Sequence, residues 1–213
     1  MTSTLPRATD APNDNTAPTS RGRKTREKLI DAARGALIEG QGQAEIIDIA
    51  ARAGVSAGLA YHHFGSKDGL VAAVVEEFYD RYAQVANQAF RGETWSQREV
   101  QRVRAVVRFL VEEPFTRTLF GPMGRSSAVV HAESHCMATL IARGAHNIAQ
   151  GQADGDLPRQ ADPHIAAAFV LGGLRQALSL ALLDDPAPDA EQLGQAIWVL
   201  IAQSLVLRIG SMI

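Results

Sequence analysis

The stretch IIDIAARAGVSAGLAYHHF, residues 46–64, decides the fold. Ile46, Ile49, Ala50 and Ala53 recur at helical spacing, so the first half of the stretch has one apolar face. Gly54 follows, a residue that enters left-handed backbone without a Cβ penalty and so ends a helix without strain. Val55 supplies an apolar plug in the turn, and Ser56 is a good N-cap for a second helix reaching Phe64. Two short helices joined by a glycine-containing turn form the helix-turn-helix unit, whose second helix can enter the major groove of DNA. An ordinary helical hairpin has the same spacing, so spacing alone leaves both readings open.

The residues around the turn narrow the choice. The run IAARAGVS (49–56), with Gly58, Tyr61, His63, Phe64, Ser66, Lys67 and Leu70, matches in order and without a gap the signature of one family. It resembles the TetR family of bacterial transcriptional regulators. The resemblance covers about residues 25–78. It implies an all-α protein of about nine helices: an N-terminal three-helix helix-turn-helix head plus a C-terminal helical ligand-binding and dimerisation body. It implies no enzyme activity and no cofactor. The expected partners are double-stranded DNA, a second copy of the chain and a small-molecule effector, with no membrane and a cytoplasmic location.

Carried over position by position, Tyr61, His63 and Lys67 are expected phosphate contacts, and each can donate a hydrogen bond to a phosphate oxygen. Ser56, Ala57, Gly58 and His62 start or line the helix face that would meet base edges. There Gly58 permits close approach, Ala57 can meet a thymine methyl and His62 can donate to an acceptor. Against this, Tyr61 and Phe64 can belong partly to the core of the head, and His63 can serve a local backbone group. Two positions depart from the family pattern. Where many relatives carry a hydroxyl at the start of the first helix of the unit, this chain has Ala44 and Glu45, and the residue after Gly58 is Leu59 rather than a polar one. A carboxylate at 45 repels phosphate unless it turns away or caps the helix, so affinity is expected to lean on the basic run RGRKTREK at 21–28.

Composition fits that reading once charge is divided along the chain. With 46% hydrophobic and 21% charged residues, the 213 residues suit a soluble globular protein of one or two domains. The formal net charge is −2, yet residues 21–68 hold eight Lys/Arg against six acids, and all three lysines stand at or before position 67. Arg21, Arg23 and Lys24 therefore join the expected DNA contacts, as an arm on phosphates or in the minor groove. A single cysteine, Cys136, rules out an intrachain disulfide. No secretory h-region and no apolar run of membrane-spanning length is apparent.

Along the chain, residues 1–20 are polar and proline-bearing and are expected to be a disordered arm. The head is expected over 21–68, with a first helix at 25–39 packing behind the hairpin, and the body over 69–213. A helix capped by Ser66 and striped with Leu70, Val74, Phe78 and Tyr82 joins the two. A loop at 88–96 holds Trp95. Helices follow at 98–113 and 127–150, with a short helix or turn between. Asp162-Pro163 then opens a helix to about 183, and Asp189 with Gln192 opens the last.

The last two helices are apolar on more than one face, which calls for more than one packing partner. The stripe Leu171, Leu174, Leu178 and Leu182 with Ile197, Ile201 and Leu205 is the expected dimer surface, as TetR-like regulators pair through their last two long helices; an internal hairpin is the alternative. The family's effector pocket lies in the body, and its candidates here are Phe78, Arg104, Arg108, Phe109, Phe120, His131, His135, Phe169 and Arg175. Trp95, Phe115 and Met123 are further candidates. Many of these aromatics would be core in any helical protein. Arg175, a charge in an apolar helix, needs a partner or an anionic ligand. The arginines and glutamates of 98–113 read as a solvated face. His131 and His135 stand one turn apart and can pair on zinc, but no third ligand is apparent, so no metal is expected. The functional expectation is a dimeric, effector-released repressor of a near-palindromic operator. Its alternatives are an activator or ligand-independent regulator of the same fold and, least of all, a metal-dependent helical enzyme.

Overall fold

The computed structural model describes residues 20–206 apart from 122, 124, 125, 185 and 187. These residues form nine helices and no strand: α1 Ser20–Glu39, α2 Ile46–Ala53, α3 Ala57–Phe64, α4 Lys67–Ala86, α5 Trp95–Glu112, α6 Phe115–Phe120, α7 Ser127–Ala153, α8 Pro163–Ala181 and α9 Ala190–Val206. The all-α expectation holds. The disordered arm expected at 1–20 lies outside the described residues, save for Ser20.

The head assembles as the spacing predicts. Gly54 ends α2 with φ 70° and ψ 34°, the left-handed turn that a side chain would strain. Ser56 caps α3, its hydroxyl accepting the Leu59 N–H, and Ser66 caps α4 through the Gly69 N–H. Leu29, Ala33, Leu37, Ile49, Ala60, Leu70 and Val74 are all at most 1% exposed, so α1, α2, α3 and the first half of α4 share one core.

Helix boundaries differ at the starts of α1 and α5, each with a local cause, and α7 runs on through Gly151 to Ala153. α1 opens at Ser20, not at residue 25, so Arg21, Arg23 and Lys24 are exposed residues of its first turns and not an extended arm. Arginine and lysine are good helix formers, and the Thr25 hydroxyl bonding back to Arg21 O extends the ladder outward. Trp95 begins α5 instead of lying in a loop, because Thr94 and Gln97 form a capping box there. The Trp95 backbone N–H donates to Asp156 Oδ2 at 2.6 Å, and the side chain is 2% exposed.

In the body, α7 packs on both α4 and α8, and α9 lies along α5. The leucine stripe of the last two helices turns inward. Leu174, Leu178, Leu182, Ile197 and Ile201 are buried within the protomer, and Leu171 and Leu205 are half-buried. The opposite stripe is outside: Ile165, Phe169, Leu180, Leu183, Val199 and Leu200 are 41–75% exposed. A helix apolar all round has two faces to place, and α5 and α7 take the one expected for the dimer. By length and hydropathy α8 alone among the described helices could cross a membrane, a correction to the expectation that no segment could.

Candidate functional site

Two features stand out, one at each end of α4. At the head, α3 turns Gly58, Tyr61 and His62 to solvent on one face while Ala60 is fully buried on the other. Tyr61 is 49% exposed. A Cβ at Gly58 would meet nothing of the protein nearer than Ser56 Oγ at 4.0 Å. Packing therefore does not demand glycine at 58; a surface from outside the chain can. Ala57, His63 and Lys67 are half-buried beside this face, with the His62 and His63 rings edge to face at 5.7 Å. Glu45 makes no cap bond to α2; its Oε1 accepts from Lys67 Nζ at 3.1 Å. The suspect carboxylate has turned onto the cation expected to hold phosphate.

At the far end of α4 the body holds a partly open cavity of about 230 Å³ between α4, α5, α7, α8 and α9. Its walls are mostly apolar, with Trp95, Val106, Leu140, Ile148, Val170 and Ile201 among them. A polar group interrupts them. Glu99, its side chain 13% exposed, accepts from Asn147 Nδ2 at 2.9 Å and from Arg102, whose Nε donates to Ala86 O at 2.8 Å. Burial pushes the Glu99 carboxyl above the usual carboxylate range, while Arg102 and Asn147 pull it back. Burial, with the Glu99 charge beside it, likewise pushes the Tyr82 hydroxyl up.

Residues 29–74, which span α2, α3 and their flanks, match the profile described as bacterial regulatory proteins of the tetR family. Over 53 residues the chain is 45% identical to the HTH-type transcriptional regulator BetI 2 of Chromohalobacter salexigens. That match covers 24% of this chain and 26% of the relative, so it speaks for the head and not for the whole protein. Residues 29–74 thus carry the helix-turn-helix head of the TetR family. Solved structures extend the likeness to the fold of the body. SmeT, the repressor of a Stenotrophomonas maltophilia multidrug efflux pump, superposes with a TM-score of 0.67 at 24% identity, covering 90% of this chain and 95% of SmeT. The regulator FadR of Bacillus subtilis, in complex with stearoyl-CoA, superposes at 0.69 and 18% identity over 82% and 96% of the two chains. Members of this family and these neighbours are transcriptional regulators, not enzymes.

Within the body, the residues expected to bind an effector are spread over other duties. Phe78 is fully buried in an aromatic cluster with Phe109, Phe115 and Phe120, at ring distances of 5.8–6.3 Å. Arg104 and Arg108 clasp α9 to α5 through Glu191, and Arg104 also donates to Gln195 Oε1 at 2.6 Å. His131 and His135 are exposed on α7, and no group of three metal-ligating side chains occurs among the described residues. Phe169 stands 68% exposed over an open depression between α8 and α9. Arg175 found a partner: it pairs with Glu133 and donates to the Tyr79 hydroxyl at 3.1 Å, its guanidinium 4.7 Å from the Phe120 ring centre. None of these nine lines the cavity; of the candidates, Trp95 does. Glu99 and Arg102, which do, were hidden in the Arg/Glu alternation read as a solvated face; a glutamate three residues before an arginine looks the same buried or exposed.

Proposed function

We propose that the chain is a homodimeric repressor that binds a near-palindromic DNA operator through α3 and leaves it when a small effector enters the body cavity. One observation carries the reading: a single helix, α4, begins beside the open face of α3 and ends in the wall of the cavity. Its 20 residues reach about 30 Å, so whatever tilts its cavity end displaces the head. The head takes residues 21–68 and the body residues 69–206 of the described chain. In this reading Gly58, Tyr61 and His62 meet the major groove, Ala57 and Ser56 start the helix there, and His63, Lys67 and the basic turns of α1 hold phosphates. The outer stripe of α8 and α9 pairs with its copy across a twofold axis, which suits five exposed large apolar residues on two adjoining helices, with Leu183 just past α8, better than open water does. DNA as target places the protein in the cytoplasm. The SmeT and FadR likenesses support the repressor and effector halves of the reading, since one is a repressor and the other was solved with a small molecule.

Selection of random duplex DNA on the purified protein tests it, repeated with Tyr61→Ala and Lys67→Ala. A near-palindromic consensus weakened in both variants is the expected result. Sequence-blind, salt-sensitive retention refutes the operator reading, and unchanged head separation between free and effector-bound structures refutes the release mechanism.

A further inference from the structure

The body cavity has two unlike walls. α8 and α9 contribute only apolar side chains to it, with Ala167, Leu171, Ile201 and Leu205 among them. α4, α5 and α7 contribute Tyr82, Asn87, Glu99, Arg102, Arg143 and Asn147. The charges on this polar wall do not cancel. Glu99 is answered in contact by Arg102 and Asn147, whereas Arg143 is exposed and makes no ion pair or hydrogen bond among the described residues. An incoming cation would meet two guanidiniums and a carboxylate already engaged. An incoming anion meets a guanidinium whose planar donors are unused.

We propose that this cavity takes a small amphipathic anion, a single-ring or short-chain carboxylate or phenolate. Its charged end rests on Arg143 and its apolar body lies against α8 and α9. The proposal rests on the effector reading of the same cavity and names the ligand class. Size follows from the cavity, whose volume of about 230 Å³ lies below the roughly 300–1,000 Å³ of drug-sized pockets. Asn87 and Asn147 flank the polar end with amide groups that can complete the anion's hydrogen bonds.

The chain carries its own reporter. It has two tryptophans; Trp95 lines the cavity and its ring lies 6.1 Å from that of Trp198. Intrinsic fluorescence of the intact protein is titrated with benzoate, benzyl alcohol and benzylamine, one ring with three charges, and retention on the selected operator is followed in parallel. Benzoate is expected to change the emission saturably and to release operator, with the other two at least about tenfold weaker. Arg143→Gln is expected to weaken benzoate roughly tenfold with an unchanged melting temperature, and Arg143→Glu to turn the preference toward benzylamine. Benzylamine or benzyl alcohol matching benzoate, or Arg143→Gln binding benzoate as the parent does, overturns the anion class and leaves the effector reading standing if operator is still released. No response to any of the three, or to hexanoate, in emission or in operator retention overturns both.

Discussion

Replacing Glu45 by Gln is expected to tighten operator binding with little change in stability, which is unusual for a mutation that removes an ion pair. Glu45 Oε1 lies 3.1 Å from Lys67 Nζ, with side chains 72% and 43% exposed. Such a pair contributes at most about 1 kcal/mol to folding, and Glu45 makes no cap bond to lose. The melting temperature should therefore fall by no more than about 4 °C. On DNA the balance differs. A phosphate held by Lys67 lies near the Glu45 carboxylate, and two like charges about 4 Å apart repel by about 1 kcal/mol even in bulk water, more as water is excluded. The phosphate must also displace Glu45 from Lys67 before the lysine can serve it. Together these place the gain at about 1–2 kcal/mol, roughly 5- to 30-fold in affinity.

Fluorescence anisotropy of a labelled operator, measured between about 50 and 200 mM salt, reads both affinity and mechanism. If Lys67 gains a full phosphate contact, the slope of log K against log salt steepens by about 0.9. Lys67→Ala in the Glu45→Gln background should remove that gain, and the two changes should not add, because they act on one pair. Equal affinity and equal slope for Glu45→Gln and the parent would refute the reasoning, since Glu45 would then not oppose DNA at all.

Other substitutions test the remaining parts. Gly58→Ala should stabilise the fold by about 0.5–1 kcal/mol, because a Cβ there meets no neighbour and helical glycine is entropically poor; the same variant should lose operator affinity in the selection assay, and unchanged binding would remove Gly58 from the interface. Phe169→Glu with Leu200→Glu, at 68% and 64% exposure, should leave the protomer folded by circular dichroism yet halve the mass seen by light scattering at micromolar concentration; a parent that is already monomeric denies the dimer. Glu99→Gln tests the buried carboxyl. Its folded pKa is raised above the reference of 4.5, so its protonated form contributes stability that is fully present below that value and is lost as pH rises through the folded pKa. Chemical denaturation should show Glu99→Gln gaining on the parent from about pH 4.5 upward, and a parallel pH profile for the two refutes the assignment.

How far the sequence could be read depended on whether a feature is set by neighbours in the chain or by neighbours in space. The turn at Gly54, the caps at Ser56, Ser66 and Asp162 and the helices they start are local, and all lie where the spacing puts them. The start of α1 is not legible in the sequence, because nothing in SRGRKT forbids helix and no cap marks where it should begin. In α8 and α9 the pattern shows that two faces need cover, but periodicity carries no sign for which face goes inside. Leu174 and Leu178 therefore read as well for a partner as for α7. The cavity was the least legible feature. Its polar members come from three helices far apart in the chain, and Glu99 is distinguished from Glu112 only by Asn147, 48 residues downstream.

In the proposed release mechanism, the attachments of α4 explain how a small ligand would be enough. Its first turns are locked into the head core by Leu70 and Val74. Arg34 of α1 pairs with Glu77 at 2.8 Å, Glu77 with Arg81 at 2.8 Å and Arg81 with Glu113 at 2.6 Å, so α1 cannot slide along α4 without parting charges. At mid-helix, the Tyr79 hydroxyl donates to Glu133 Oε1 at 3.1 Å and accepts from Arg175, which ties α4 to α7 and α8 at one buried point. Tyr82, Ala86 and Asn87 then reach the cavity wall. A rod held at residue 79 has an arm of roughly 18 Å to residue 67 and of about 10 Å to residue 86. A shift of about 1 Å at the cavity end becomes about 1.7 Å at the head. Across a twofold axis the two heads then change separation by about 3.4 Å, close to the rise of one base pair. In the proposed dimer, two recognition helices set one helical turn of DNA apart would lose their register by that amount, so a cavity of only about 230 Å³ would govern an interface about 30 Å away.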